Sequence, residues 1–343
     1  MPNAIMIARR GGPEVLVDRE VPTRAPGPME VRISVRAAGV NFADLMGRMG
    51  LYPEAPPIPF CPGYEVAGVV DAVGEGVTNV AEGDRVVAVT WFGGCATEVV
   101  TLAVMTFRIP DDLPFATAAA IPVNFATADL ALFAVGALSK GERVLIHGGA
   151  GGVGTAAVRL AKRAGAVVIA SAGSPAKAAF LREEGVHAAI DYRAEDVPAA
   201  VRATTDGEGV HVVLDPRGGQ GIRESLDLLC PLGRVVAFGV SELATGRKRN
   251  LLGVIAKVLR FPKISPLSLL KTCRGVHGLN LLPLYGREDL ARRFEERLLP
   301  PIVSGEIAPV IHGTYPLTAD GARRAHEALH ARENIGKTVL VAS

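Results

Sequence analysis

RVLIHGGAGGVGTAAVRLAK, residues 143–162, decides the fold. It reads as a short apolar strand, a turn dominated by glycine, and a run of helical composition. Gly149, Gly151 and Gly154 fall in G-x-G-x-x-G spacing, in the one place where that spacing carries meaning, between a strand and a helix. Such a turn lets backbone N–H groups approach a pyrophosphate that a Cβ would hold off, and the helix N-terminus adds roughly half a positive charge. Residues 167–170 supply a second strand and complete a βαβ unit, so the stretch predicts dinucleotide binding rather than a structural glycine turn.

The end of that second strand selects the cofactor. NAD sites usually place an acidic side chain there, on the ribose 2′-OH. This chain has Ser171-Ala172-Gly173-Ser174, and Lys177 follows within a turn. Hydroxyls and an ammonium suit a 2′-phosphate, which an aspartate would repel, so the pattern predicts NADPH. Taken alone, Lys177 reads first as one more solvated helix cation.

Working outward, β-type runs at 188–191, 210–214 and 234–238 alternate with helical segments, as a doubly wound parallel sheet requires. Before residue 122 the rhythm is different: short runs such as 31–35, and a pair within 66–89, are separated by Gly- and Pro-rich turns, the pattern of a mostly β module. Helical composition at 113–120 and 126–132 bridges the two. A helix at 321–330 and a strand at 337–341 are placed to return to the first module. The expected class is α/β, with a β-rich domain at 1–122 and 305–343 and a nucleotide-binding domain at 123–304.

The 343 residues, 49% hydrophobic and 21% charged, suit about two soluble globular domains. A net charge of +2 gives no basic footprint for nucleic acid. No early apolar run reaches the roughly 18 residues of a bilayer span and no leader is evident, so a cytoplasmic location is expected. Cys61, Cys95, Cys230 and Cys273 lie far apart without CxxC spacing, so they read as buried thiols rather than as disulfides or a structural zinc site.

The segment FCPGYEVAG, residues 60–68, bears on metal chemistry. With the glycine turn it gives the chain a resemblance, over nearly its whole length, to the medium-chain dehydrogenase/reductase superfamily: a GroES-like module followed by a Rossmann domain. Zinc-dependent members carry a cysteine ligand near the position of Asn41 and Gly-His-Glu where this chain has Gly63-Tyr64-Glu65, often with a four-cysteine lobe. Here the cysteine is an asparagine, the histidine is a tyrosine and the lobe is missing, so the resemblance implies no catalytic metal; about three protein ligands are needed. Residues 39–44 (GVNFAD) and Gly50-Leu51-Tyr52-Pro53 resemble the zinc-free quinone oxidoreductase branch. The same VNFADL and GLY stretches, with residues 121–125 and the basic segment 245–251, are similar to the vesicle amine transport protein 1 homologues.

The resemblance implies a nicotinamide cleft between the domains. Asn41 and Thr127 would lie beside the nicotinamide and its ribose. Gly149, Ala150, Gly151 and Gly152, with Val153, would hold the pyrophosphate. Ser171, Gly173, Lys177 and Tyr192 would enclose the 2′-phosphate, Phe238 and Val240 would close the far wall, and Asn334 would be a further contact. Where relatives often have a serine, this chain has Arg217. Without a Lewis acid, the expected substrates are quinones or activated enones, with Asn41 or Tyr52 hydrogen-bonding the carbonyl oxygen as charge develops there. Tyr52 reads alternatively as an aromatic packed on a proline-rich loop. The resemblance also implies a homodimer through an edge strand at 275–279.

A second reading is an NADPH-binding membrane-associated or scaffold protein with little turnover. Residues 243–287 contain no acidic side chain, while Arg247, Lys248, Arg249, Lys257, Arg260, Lys263, Lys271 and Arg274 are interleaved with apolar residues, so 247–274 could lie on an anionic surface.

Overall fold

The computed structural model describes residues 1–243, 253, 257–258 and 261–342. In chain order, β1 (Asn3–Ile7), β2 (Leu16–Glu20) and β3 (Glu30–Val40) lead to α1 (Phe42–Met49), β4 (Glu65–Val73), β5 (Arg85–Val89), β6 (Glu98–Leu102) and β7 (Thr106–Arg108). Two short helices, α2 (Phe115–Ala118) and α3 (Pro122–Asp129), precede β8 (Arg143–His147). Then α4 (Gly152–Arg163), β9 (Val167–Ala172), α5 (Pro175–Glu183), β10 (Ala188–Asp191), α6 (Val197–Thr204), β11 (Val210–Asp215), α7 (Gln220–Asp227) and β12 (Leu229–Ala237) alternate. The chain continues through β13 (Gly275–Gly278), β14 (Ile311–Pro316), the helix Ala319–His330 and β15 (Lys337–Val341).

The chain divides into two compact units: residues 1–126 with 281–343, and the described residues between 127 and 280. The first unit carries a sheet in the order β14-β15-β3-β4-β5-β7, with β6 also on β3. In β3, Val31, Ile33 and Val35 point to one face and are buried with Ile5, Val66, Val70, Val86 and Leu340, the period-2 pattern of a half-buried strand. Its helix α1 starts at Asn41, whose N–H donates to Asp44 Oδ2 at 2.7 Å, and stops at Gly50, which takes the left-handed conformation at φ 67°. The last strand, β15, runs antiparallel to β3 with Thr338 opposite Val40. That register brings the head of the last strand, Lys337, to the end of β3 and so to Asn41.

The first unit reclaims the chain at 281, earlier than the 305 read from sequence. Tyr285 Oη lies 2.8 Å from Thr101 Oγ1, and the rings of Phe294 and Phe107 pack with centroids 4.7 Å apart. These contacts fasten 282–297 to β6, β7 and their connection.

The second unit is a parallel sheet in the order β10-β9-β8-β11-β12-β13. The chain steps outward from β8 to β10, then returns to the other side of β8 with β11, which makes the β8/β11 junction the switch point where α/β sheets take their ligands. Strand β12 begins five residues ahead of the expected run, and β13 is the sheet's outer strand among the described residues, pairing with β12. Among the described residues one helical run, Phe115–Val135, is long and apolar enough to cross a membrane, and 72% of its most apolar window is buried inside the protein.

Candidate functional site

In the second unit the turn after β8 is held by backbone bonds: Gly149 N–H donates to Ser171 O and Gly151 N–H to Gly148 O, both at 2.9 Å. Each glycine has its own reason. A Cβ on Gly154 would lie 2.1 Å from Gly148 O, and one on Gly149 would lie 2.8 Å from Ala170 Cβ, so the turn could not close. At Gly151 the nearest atom would be Gly148 O at 3.3 Å, a tight contact that a shift of a few tenths of an ångström would relieve, so the protein's own packing demands less there. Gly151 is the N-cap of α4 and offers no side chain to the helix's first N–H groups. They remain for an anion. The cradle of Gly149, Ala150, Gly151, Gly152 and Val153 therefore fits a pyrophosphate.

At the end of β9, a Cβ on Gly173 would lie 2.2 Å from the Tyr192 hydroxyl, so that hydroxyl sits directly against the backbone, on an exposed ring. Ser174 caps α5 by accepting from Lys177 N–H at 3.3 Å, which sets Lys177 in the first turn of the helix. Ser171 is buried, and its hydroxyl shares a hydrogen bond with His147 Nδ1 at 3.0 Å.

Under the turn lies a buried polar network. Ser225 Oγ donates to Asp215 Oδ2 at 2.7 Å and contacts His147 Nε2 at 3.5 Å. Arg217 donates to Asp215 at 3.0 Å, to Gly221 O at 2.9 Å and to Glu224 at 3.0 Å. Burial, helped by the Arg217 charge, holds His147 neutral, well below the usual histidine range. Burial alone would raise Asp215, but Arg217 beside it prevails and lowers it. Phe238, whose N–H donates to Asp215 O at 3.0 Å, and the exposed Val240 follow β12. Thr127 is buried in α3. The structure thus gathers the glycine turn, Gly173, Lys177, Tyr192, Phe238 and Val240 at the C-terminal ends of the parallel strands.

The first unit holds a second polar cluster. Lys337 Nζ contacts Glu65 Oε1, donates to Asn41 Oδ1 at 2.6 Å and reaches Asn124 Oδ1 at 3.5 Å. Asn41 Nδ2 donates to Glu65 Oε1 at 2.9 Å, and Val123 N–H to Glu65 Oε2 at 2.8 Å. Asp44 ties the cluster to the FCPGYE loop through Gly63 N–H at 2.8 Å, and burial raises its carboxyl to about 7. Lys337 is 3% and Glu65 0% exposed. Asn334 donates to Gly336 O at 2.9 Å and shapes the turn into Lys337. Tyr52 stands edge-on to Tyr64 at 6.2 Å, and the buried Tyr64 hydroxyl has no hydrogen-bond partner among the described residues.

Sequence reading missed Lys337 and Asn124. The available signal for Lys337 was a lysine heading an apolar strand, since lysine is seldom buried without a partner. Of the basic segment, Arg247, Lys248, Arg249 and Arg260 lie outside the described residues. Lys257 donates to Glu242 O at 2.5 Å, and the helix Pro266–Thr272 exposes Leu267 and Leu270.

A catalytic zinc does not fit these donors. The family's cysteine and histidine positions hold an amide and a phenol, the Glu65 carboxylate that follows the phenol is engaged by Lys337, and burial pushes the nearby Cys61 thiol up to about 12, against the thiolate a metal requires. Among the described residues no group of three or more His, Cys, Asp or Glu side chains is gathered for a metal.

Comparison with known proteins agrees in fold. Residues 27–110 match the alcohol dehydrogenase GroES-like domain, and residues 152–261 match the zinc-binding dehydrogenase domain. The human synaptic vesicle membrane protein VAT-1 homolog is 40% identical over 328 residues, which cover 95% of this chain and 82% of that protein. A Pseudomonas aeruginosa quinone oxidoreductase is 36% identical over 343 residues, 99% of this chain and 100% of its own. The crystal structure of Escherichia coli quinone oxidoreductase complexed with NADPH superposes with a TM-score of 0.86 at 30% identity, covering 99% of each chain.

Proposed function

The chain belongs to the medium-chain dehydrogenase/reductase superfamily, in the branch that holds the quinone oxidoreductases, and from that premise we propose that it is an NADPH-dependent reductase of quinones or activated enones. The observation that carries the reading is the end of β9. Where an NAD site sets a carboxylate, this chain has Gly173 and Ser174, with the Tyr192 hydroxyl packed against Gly173 and Lys177 in the first turn of α5. The turn from Gly149 to Val153 holds the pyrophosphate, while Thr127, Phe238, Val240 and Asn334 contribute as further contacts. Bound NADPH supplies a hydride to the acceptor.

The chain's own residues do the rest. Tyr52 donates a hydrogen bond to the acceptor carbonyl, where negative charge develops, and Asn41 is the second donor. One hydrogen of Asn41 Nδ2 is committed to Glu65, and its other contact is a long 3.5 Å to Gly39 O. Tyrosine's ordinary pKa near 10 makes Tyr52 a donor rather than an obligatory acid, so water delivers the proton.

The protein works as a cytoplasmic homodimer paired along β13, whose neighbourhood exposes Leu232, Leu267 and Leu270. The same exposed leucines, flanked by Lys263, Lys271 and Arg274, support a second reading as a membrane-associated NADPH-binding protein. Steady-state assays of NADPH and NADH oxidation with 1,4-naphthoquinone and a conjugated enone separate the two readings. Turnover with NADPH well above that with NADH is expected, and no oxidation of either cofactor with any acceptor rejects the reductase.

A further inference from the structure

The metal position of the superfamily is occupied here by residues that do not suit a metal, yet their arrangement is closed and oriented. We propose that the ammonium of Lys337 takes the place of that cation, acting as a positioning residue that fixes Asn41 and Glu65 and sets a positive charge beside the acceptor's hydrogen-bond donor. This rests on the reductase reading and names how its site is held.

The network admits only one orientation. An ammonium has no acceptor and a carboxylate no donor, so the Asn41 amide must turn Oδ1 to Lys337 and Nδ2 to Glu65. Its second N–H, which makes the long 3.5 Å contact to Gly39 O, is thereby fixed in direction by two buried charges. Asn124 takes the remaining reach of the ammonium at 3.5 Å, and Val123 N–H satisfies the other oxygen of Glu65. Among the described residues no other titratable side chain bonds to Lys337, while Asp44 faces the cluster from α1 and accepts from the backbone N–H groups of Asn41 and Gly63.

Stability alone is a poor reason for such a pair. Replacing a buried ion pair by apolar groups of similar volume is often neutral or stabilising. A fixed positive charge one amide away from a developing oxyanion does have a use, because it acts in a site shielded from water and needs no reorganisation at the moment of transfer. The strand register that delivers Lys337, with Thr338 opposite Val40, holds the charge on a rigid element.

The test uses the full chain as wild type, Glu65→Gln/Lys337→Met, which removes both charges together, and Lys337→Arg, which keeps the positive one. Melting temperature, affinities for NADPH and for 2′,5′-ADP, which lacks the nicotinamide, and kcat and KM for 1,4-naphthoquinone are measured. In the folded double variant 2′,5′-ADP binds as in wild type, NADPH binds about tenfold more weakly, and kcat falls about 10²-fold with little change in KM. Lys337→Arg recovers much of the lost kcat. A folded double variant that keeps both NADPH affinity and kcat within about threefold of wild type, under half the energy of one hydrogen bond to a charged group, overturns the proposal. If the wild type binds NADPH but reduces no quinone or enone, the reductase reading fails instead, and the affinity comparison alone decides the role of Lys337.

Discussion

The two units each bury a charged network, and they build it differently. In the second unit His147, Ser171, Asp215, Arg217 and Ser225 come from the ends of neighbouring parallel strands and the helix that follows one of them. In the first, Asn41, Glu65, Asn124 and Lys337 are drawn from the breadth of the chain, and Lys337 arrives only because β15 closes against β3. Without its cation Asp215 keeps three donors, the backbone N–H groups of Arg217 and Gly218 at 2.7 and 3.3 Å and the Ser225 hydroxyl at 2.7 Å, whereas Glu65 keeps two, Asn41 Nδ2 and Val123 N–H, so Asp215 tolerates the loss better. One network is locally over-determined. The other hangs on a single strand pairing.

The largest effect that sharpens this contrast comes from removing each cation alone. Lys337→Met leaves the charge of buried Glu65 uncompensated and is expected to cost about 3–5 kcal/mol. Arg217→Met, whose side chain is 26% exposed, should cost about 1–3 kcal/mol. Chemical denaturation of both variants checks the order, and equal losses would erase the distinction between the units.

A smaller effect is a pair of opposite pH slopes. Asp44 is raised from 3.8 to about 7, so the folded chain binds this proton more tightly than the unfolded one. Its contribution favours the fold most in acid and is lost as pH rises from about 4 to about 7. His147 is lowered from 6.5, so the folded chain resists a proton that the unfolded chain accepts. Its contribution is present above pH 6.5 and is lost as pH falls below it. Unfolding free energies of wild type minus Asp44→Asn, and wild type minus His147→Asn, measured from pH 4 to 8, should therefore slope in opposite directions. Parallel or flat curves would show that burial does not govern these groups.

The same division explains what the sequence could tell. The glycine turn, the strands around it and the end of β9 are encoded within about thirty residues, so spacing alone placed them. Tyr64 and Asn41 could be compared with zinc-ligand positions because they sit in short motifs. The partner of Asn41 lies 296 residues away, and nothing in the local pattern of Lys337-Thr338-Val339-Leu340-Val341 says which strand it will join. The partner of Ser171 was hidden for a related reason. A hydroxyl at a strand end looks free until the neighbouring strand supplies His147. The early return of the chain at 281 was hidden too, because Tyr285 and Phe294 find their partners only in three dimensions.

Metal analysis of freshly purified protein, run beside an NADPH-quinone assay before and after chelator dialysis, tests the central claim most directly. With Lys337 as the resident cation, active protein should carry far less than one zinc per chain and lose no turnover to the chelator. Stoichiometric zinc whose removal abolishes turnover would contradict the account.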